Sequence, residues 1–269
     1  NLKDVVITNN NNADIIKGLI NINGIKFSLN SSLIKNNDIE NSWKSSSSLI
    51  NKDLKILLNG NIDYNNYYPS IESNLEVSSN NLENLSKNYK YLNLLNKNLK
   101  LNSELSLNFK NNNLFYSIYN LSINSGPVIL TGAVSGNNSE FPNIDMVLSS
   151  NNINLDLLRG NINKFNDLPL KDEEKTLITI QDYLTSYQGT LLLSVGTSKF
   201  LDYPIRNLII DLKKENKSYI LNNAEATFPG NTNISFKGNV KNNFTIFEGG
   251  TIIKSDNIRD FCKWLSLDL

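Results

Sequence analysis

The sequence predicts a mainly β (α+β) protein: a long, twisted antiparallel sheet of repeated meanders that curls into a groove, with short amphipathic helices closing the repeats. Three observations predict it. Along most of the 269 residues, Leu, Ile and Phe alternate with Asn, Ser and Lys at a spacing of two, the period of a strand with one buried face. One unit recurs three times, beginning at Leu57, Ile129 and Ile234. Helical spacing is confined to three short segments, too few to cover so long a meander.

Each copy of the unit has an apolar run ending in glycine (Gly60, Gly132, Gly238), an Asn-rich stretch, and an alternating strand. Each closes on a Ser-Asx-Asn-apolar tetrad: Ser79 to Leu82, Ser150 to Ile153 and Ser255 to Ile258. Glycine and tetrad lie about 20 residues apart, the scale of a repeated supersecondary unit. The glycines are expected at turns. Asn80, Asn152 and Asp256 (or its neighbour Asn257) are expected to cap helices, because an Asx side chain satisfies N–H groups left free where strand becomes helix.

Taken in order, residues 1–34 read as strands, with turns at Asn9 to Asn12 and at Asn23-Gly24, the latter a strong hairpin cue. Residues 35–53 read as a polar loop containing Ser45 to Ser48, with Trp43 as a satellite packing residue. Leu82, Leu85, Tyr89, Leu92 and Leu95 share one face of a helix. Residues 99–160 return to strand, turning at Asn111 to Asn113 and at Gly126-Pro127, with a short helical piece near Leu155–Leu158. Residues 161–188 read as a helical connector with Asp172, Glu173 and Glu174 in its first turn, where acidic groups complement the helix dipole. Residues 189–257 form a second meander, broken at Phe228-Pro229-Gly230, and a short helix with Ile258, Phe261, Cys262 and Leu265 on one face ends the chain. The expected organisation is a first meander region, 1–160, the connector, 161–188, and a second unit, 189–269, in one elongated domain.

Composition excludes several classes of function. Lys plus Arg and Asp plus Glu each number 26, so no global field draws nucleic acid, and the basic residues are not interleaved with aromatics. Histidine is absent, which removes Ser-His and Cys-His nucleophilic catalysis. The single cysteine, Cys262, forms no intramolecular disulfide and sits on an apolar helix face as a small hydrophobe. No glycine loop of the phosphate-cradling kind is present. Paired carboxylates leave no signature in spacing alone, and no acidic residue here has a context that favours such work. No enzyme, cofactor or metal is expected. Asparagine makes up about one residue in five, far above ordinary usage, which reads as the bias of an AT-rich genome. The chain starts without methionine and carries no signal peptide or membrane-length apolar run, which suggests a fragment of a longer protein.

A one-faced sheet must cover its apolar side. Either two sheets cover each other in a sandwich, or one sheet curls around an apolar guest. The run from Leu191 to Gly238, with Tyr203 near a tight turn, Pro229-Gly230 and the strand ending at Gly238, followed by Ser255 to Ile258 and Trp264-Leu265, resembles the AsmA family of bacterial envelope proteins. The resemblance extends over about residues 50–269. It implies an inner-membrane-anchored, periplasmic body in a Gram-negative cell. It also implies a bridge-like role in which an apolar groove shelters acyl chains of phospholipid or a similar lipid, in the service of outer-membrane homeostasis. The anchor would lie outside this segment, and other envelope proteins would be its partners. On that reading Leu105, Leu107, Phe109, Leu191, Leu193, Val195, Ile234 and Phe236 line the groove. The alternative is a β-sandwich or solenoid surface protein that binds other proteins through its polar, Asn-rich face.

Overall fold

The computed structural model describes residues 2–10, 13–22, 25–65, 68–82, 98–126, 128–157, 187–215, 218–241 and 246–267. The chain is mainly β, and its strands form open sheets in chain order. It divides into two compact units, Asn1–Gly126 and Pro127–Leu269. The boundary falls at one of the expected turns, Gly126-Pro127. The helix expected after Leu82 and nearly all of the 161–188 connector lie outside the described residues.

The first unit is an antiparallel meander of β1 (Leu2–Asn10), β2 (Ala13–Ile22), β3 (Ile25–Lys35), β4 (Ser42–Ile50), β5 (Leu54–Asn65), β6 (Tyr68–Ser79), β7 (Leu99–Lys110) and β8 (Asn113–Ser125). Register places the apolar residues of successive strands side by side. One such row runs Leu29, Leu49, Ile56, Val77, Leu101, Ile123. The opposite face carries Asn, Glu, Lys and Ser, as in Asn61, Glu72 and Ser106. Asn111 and Asn112 turn β7 into β8 with φ of 51° and 62°. Asn tolerates this left-handed region because its short side chain hydrogen-bonds locally. Asn120, at φ 47°, occupies the bulge of the same hairpin.

The expected loop over 35–53 is instead largely strand. β4 pairs on both sides, with β3 and with β5. Its serines misled the pattern because Ser45 and Ser47, both half-buried, hold the apolar-face positions of the strand, while Ser46 and Ser48 point to the other face. Ser47 Oγ lies 2.7 Å from Ser31 Oγ, and Ser45 Oγ donates to the Gly60 carbonyl at 3.4 Å. Trp43 packs edge-on against Tyr64, with ring centroids 5.4 Å apart.

The second unit contains β9 (Val128–Asn137), β10 (Asn143–Asn154), β11 (Gln188–Phe200), β12 (Tyr203–Glu215), β13 (Ser218–Phe228), β14 (Thr232–Lys241), β15 (Ile246–Lys254) and the helix α1 (Ile258–Trp264). A single 3-10 turn, Pro229–Asn231, separates β13 from β14. All pairs are antiparallel except β10 with β11, which run parallel. This corrects the expectation of an antiparallel sheet throughout. The period of two is the same for both kinds of ladder, and a parallel joint requires a crossover of a dozen residues or more, which the long stretch before Gln188 provides.

The repeat is real, but its parts have other roles than expected. Gly60, Gly132 and Gly238 sit inside β5, β9 and β14, not at turns. A Cβ on each would meet a carbonyl oxygen of the partner strand, Glu72 at 1.9 Å, Val147 at 2.0 Å and Glu248 at 2.4 Å. The repeated glycine marks close strand approach. Capping also moves along the chain. Asn152 belongs to β10, and the Asn154 side chain accepts the Leu157 N–H at 3.0 Å where the backbone turns helical over 155–157. Asp256 accepts from the Asn231 amide at 2.5 Å, while Asn257 caps α1 through the Asp260 N–H. At Asn80, an exposed residue, the neighbouring Ser79 is the one engaged: its Oγ donates to the Asp53 carbonyl at 2.6 Å and accepts the Asn81 N–H at 3.3 Å.

Candidate functional site

The apolar face of each unit is the candidate site. In the first unit it carries Ile56, Leu58 and Ile62 of β5, Ile71, Leu75 and Val77 of β6, and Leu101, Leu105 and Leu107 of β7, joined by register. All are half-buried. Within the unit each strand's close contacts are with the strands before and after it. No second sheet lies over this face among the described residues, so these strands do not build a sandwich with one another. One end carries a small buried cluster, where Leu82 and Leu99 pack with Ile25, Leu54, Val77 and Ile123.

In the second unit the same alternation lines up Met146, Leu191 and Leu212, and then Leu148, Leu193 and Ile210. Here α1 covers one end. Phe261, Cys262 and Trp264 pack on Ile205, Ala226 and Ile234. Trp264 also stacks near Phe228, with centroids 5.2 Å apart, and its indole N–H donates to the Phe200 carbonyl at 3.4 Å. The helix is held at its start by the Pro-Gly turn. The Asn257 N–H donates to the Gly230 carbonyl at 2.9 Å. Gly230, at φ 71°, would put a Cβ 2.0 Å from the Asn257 oxygen, so only glycine fits there.

The eight expected lining residues all fall on the apolar faces, in two groups. Leu105, Leu107 and Phe109 lie in the first unit, with Phe109 38% exposed. Leu191 and Leu193 are half-buried on the second unit's face, and Phe236 is 37% exposed there. Val195 and Ile234 do not offer a free surface: they are 2% and 8% exposed, and Ile234 lies in the core beneath α1.

One concavity stands out on the second unit's face. A pocket of about 280 Å³ is lined by Ile144, Met146, Leu191, Leu212 and Tyr219, with Lys214 at its wall. The Lys214 ammonium donates to the Tyr187 carbonyl and lies 5.9 Å from the Tyr219 ring centre. Burial holds its pKa below the usual lysine value. The sequence did carry a signal for this residue. Leu208, Ile210, Leu212 and Lys214 share one parity, so a lysine stands where the alternation calls for an apolar side chain.

Among the described residues no cluster of His, Cys, Asp and Glu could hold a metal ion. No helix among them is long and apolar enough to cross a membrane. Compared with protein-family models, curated proteins and solved structures, the chain finds no match in any of the three.

Proposed function

We propose that this chain is the groove-bearing part of an AsmA-like envelope protein, a non-enzymatic carrier that holds phospholipid acyl chains along its apolar faces. In this reading it works in the periplasm, tethered to the inner membrane by a segment outside this chain, and serves outer-membrane assembly. The observation that carries the reading is the open apolar face of the first unit, a field of Leu and Ile interrupted by Gly60, Ser73 and Ser103, with no second sheet over it among the described residues. Contiguous apolar patches larger than a few hundred Å² are rare on monomers and mark interaction sites. Burying an acyl chain is favourable by about 0.8 kcal/mol per CH₂. A lining of half-buried Leu and Ile therefore suffices, and no catalytic group is needed.

The test is native mass spectrometry of the gently purified chain, followed by organic extraction. Co-purified phospholipid is expected, and Leu107→Asp and Leu193→Asp are each expected to reduce it several-fold while circular dichroism stays that of a β protein. A folded, lipid-free wild-type chain that also takes up no added phospholipid overturns the proposal.

A further inference from the structure

We propose that the edge of β15 pairs with β15 of a second copy of this chain, antiparallel across a two-fold axis at Thr251, so that the sheet continues from one copy into the other. The inference goes beyond the lipid-carrier reading and does not depend on it.

An edge strand offers a row of backbone N–H and C=O groups to any strand that comes alongside. Proteins usually blunt such edges with proline, lysine, a bulge or a covering element. β15 is not blunted in these ways. Among the described residues it pairs with β14 alone, in unbroken register from Ile246 to Lys254. It contains no proline, and its one lysine is its last residue. All nine residues are exposed, Ile252 and Ile253 by 58% and 55%. The helix α1 packs instead on Ile205, Ala226 and Ile234 of the preceding strands. β1, which among the described residues pairs with β2 alone, differs: its register shifts between Lys3 and Val6, an irregularity that twists an edge away from a flat partner.

The side chains of β15 select the occupant and the register. A two-fold axis normal to the sheet sets residues of one face against residues of the same face. With Thr251 on the axis, Thr251 meets Thr251 of the second copy, a favourable cross-strand pair. Ile252 then lies across from Gly250 of the second copy, and Ile253 across from its Gly249, each pair occurring twice by symmetry. Exposed isoleucines thus cover bare backbone. Moving the axis to Gly250 sets glycine against glycine, and moving it to Ile252 sets Gly250 against Lys254. The charges agree with the register that the Ile–Gly match selects: with the axis at Thr251, Glu248 lies across from Lys254, whereas with the axis at Ile252 it would lie across from Asp256. Gly250 adds a second observation. Glycine inside a strand weakens it and often marks where another backbone comes close. Nothing in its own chain calls for it, since an added Cβ there meets nothing within 4 Å. In the paired edge, Ile252 of the second copy occupies that space.

The experiment uses the full chain without added lipid, followed by sedimentation velocity over a range of concentrations. One paired strand is a small interface of the weak class, so the dimer is expected to be a minor species at about 1 µM and the major one at about 200 µM. Thr251→Lys and Thr251→Glu each place like charges face to face on the axis, and each alone is expected to weaken the dimer about tenfold with circular dichroism unchanged. Mixed one to one, the two variants are expected to pair with each other and to restore the dimer to about the wild-type level. Thr251→Cys, a change of nearly equal size, is expected to give a disulfide-linked dimer under mild oxidation. Wild type serves as the control, because its one cysteine, Cys262, is buried. A wild-type chain that stays monomeric up to about 200 µM overturns the proposal, and that measurement needs no variant. A dimer that neither charged substitution weakens lies elsewhere on the surface and also overturns it, as does a mixture that fails to restore pairing or a Thr251→Cys chain that does not crosslink. Growth past the dimer overturns the two-fold arrangement, since two-fold pairing closes on itself.

Discussion

Gly60 faces the Glu72 carbonyl at a distance that leaves no room for a methyl group, and the Ser73 Cβ is only 2.7 Å from where one would sit. Gly60→Ala must push two paired strands apart. Forced overpacking of this kind costs about 1–3 kcal/mol, to be read as a lower urea midpoint. Gly250→Ala is the control: nothing lies within 4 Å of its added Cβ, and the midpoint should stay within error of wild type. A second residue-scale prediction concerns hydroxyls. Ser73 and Ser103 are buried and their Oγ atoms have no hydrogen-bond partner among the described residues. An unsatisfied buried polar group costs about 1–3 kcal/mol, so Ser73→Ala and Ser103→Ala should hold or raise stability in urea titrations, where most buried substitutions lower it. The glycine repeat was legible in the sequence, but its purpose was not. Spacing reveals that a small residue recurs, whereas the carbonyl that demands it belongs to another strand.

At the scale of elements, the short helix α1 is stabilised by what it touches. A helix of seven residues is too short to persist alone. Trp264 contacts Phe200, Phe228 and Phe261, and Trp264→Ala should cost about 3–5 kcal/mol and release the helix, seen as loss of near-ultraviolet dichroism. Asn257→Ala removes only the cap and should cost about 1 kcal/mol. A less visible cap serves a hairpin. Leu201 and Asp202 turn β11 into β12 at φ of 51° and 63°, and the Asp156 carboxylate accepts both of their N–H groups, at 2.6 and 3.0 Å. The helical turn after β10 thus holds the far end of the next strand pair. Sequence reasoning found the two described helix starts, near 155 and 258, to within a few residues because Ser and Asx cluster there. It could not choose among adjacent Asx residues, since which of them caps depends on the path of the backbone.

At the scale of the molecule, each strand relies on its immediate neighbours, so stability is expected to vary along each unit like that of a repeat array. Among the described residues β15 has one strand partner, β14, and all nine of its residues are exposed. Its amides should exchange with deuterium far sooner than those of β12, which is paired on both sides. The meander order was legible because alternation and turn residues mark consecutive hairpins. The faces of the candidate site were legible for the same reason, and all eight expected lining residues fall on them. What stayed hidden was the direction of β11, which carries no local signal, and the burial of Ile234, which depends on a helix some twenty residues further on.

That single parallel joint has a mechanical consequence. Pulled from its two ends, an antiparallel meander peels one hairpin at a time, and each step releases a short, similar length of chain. Freeing β11 from β10 releases in addition the whole stretch between Asn154 and Gln188, which spans about 110 Å when drawn taut. A force–extension trace should therefore show a ladder of short steps with a longer stride at the β6–β7 connection and the longest at the β10–β11 joint, and that longest stride should lengthen in proportion to any residues inserted between the two strands.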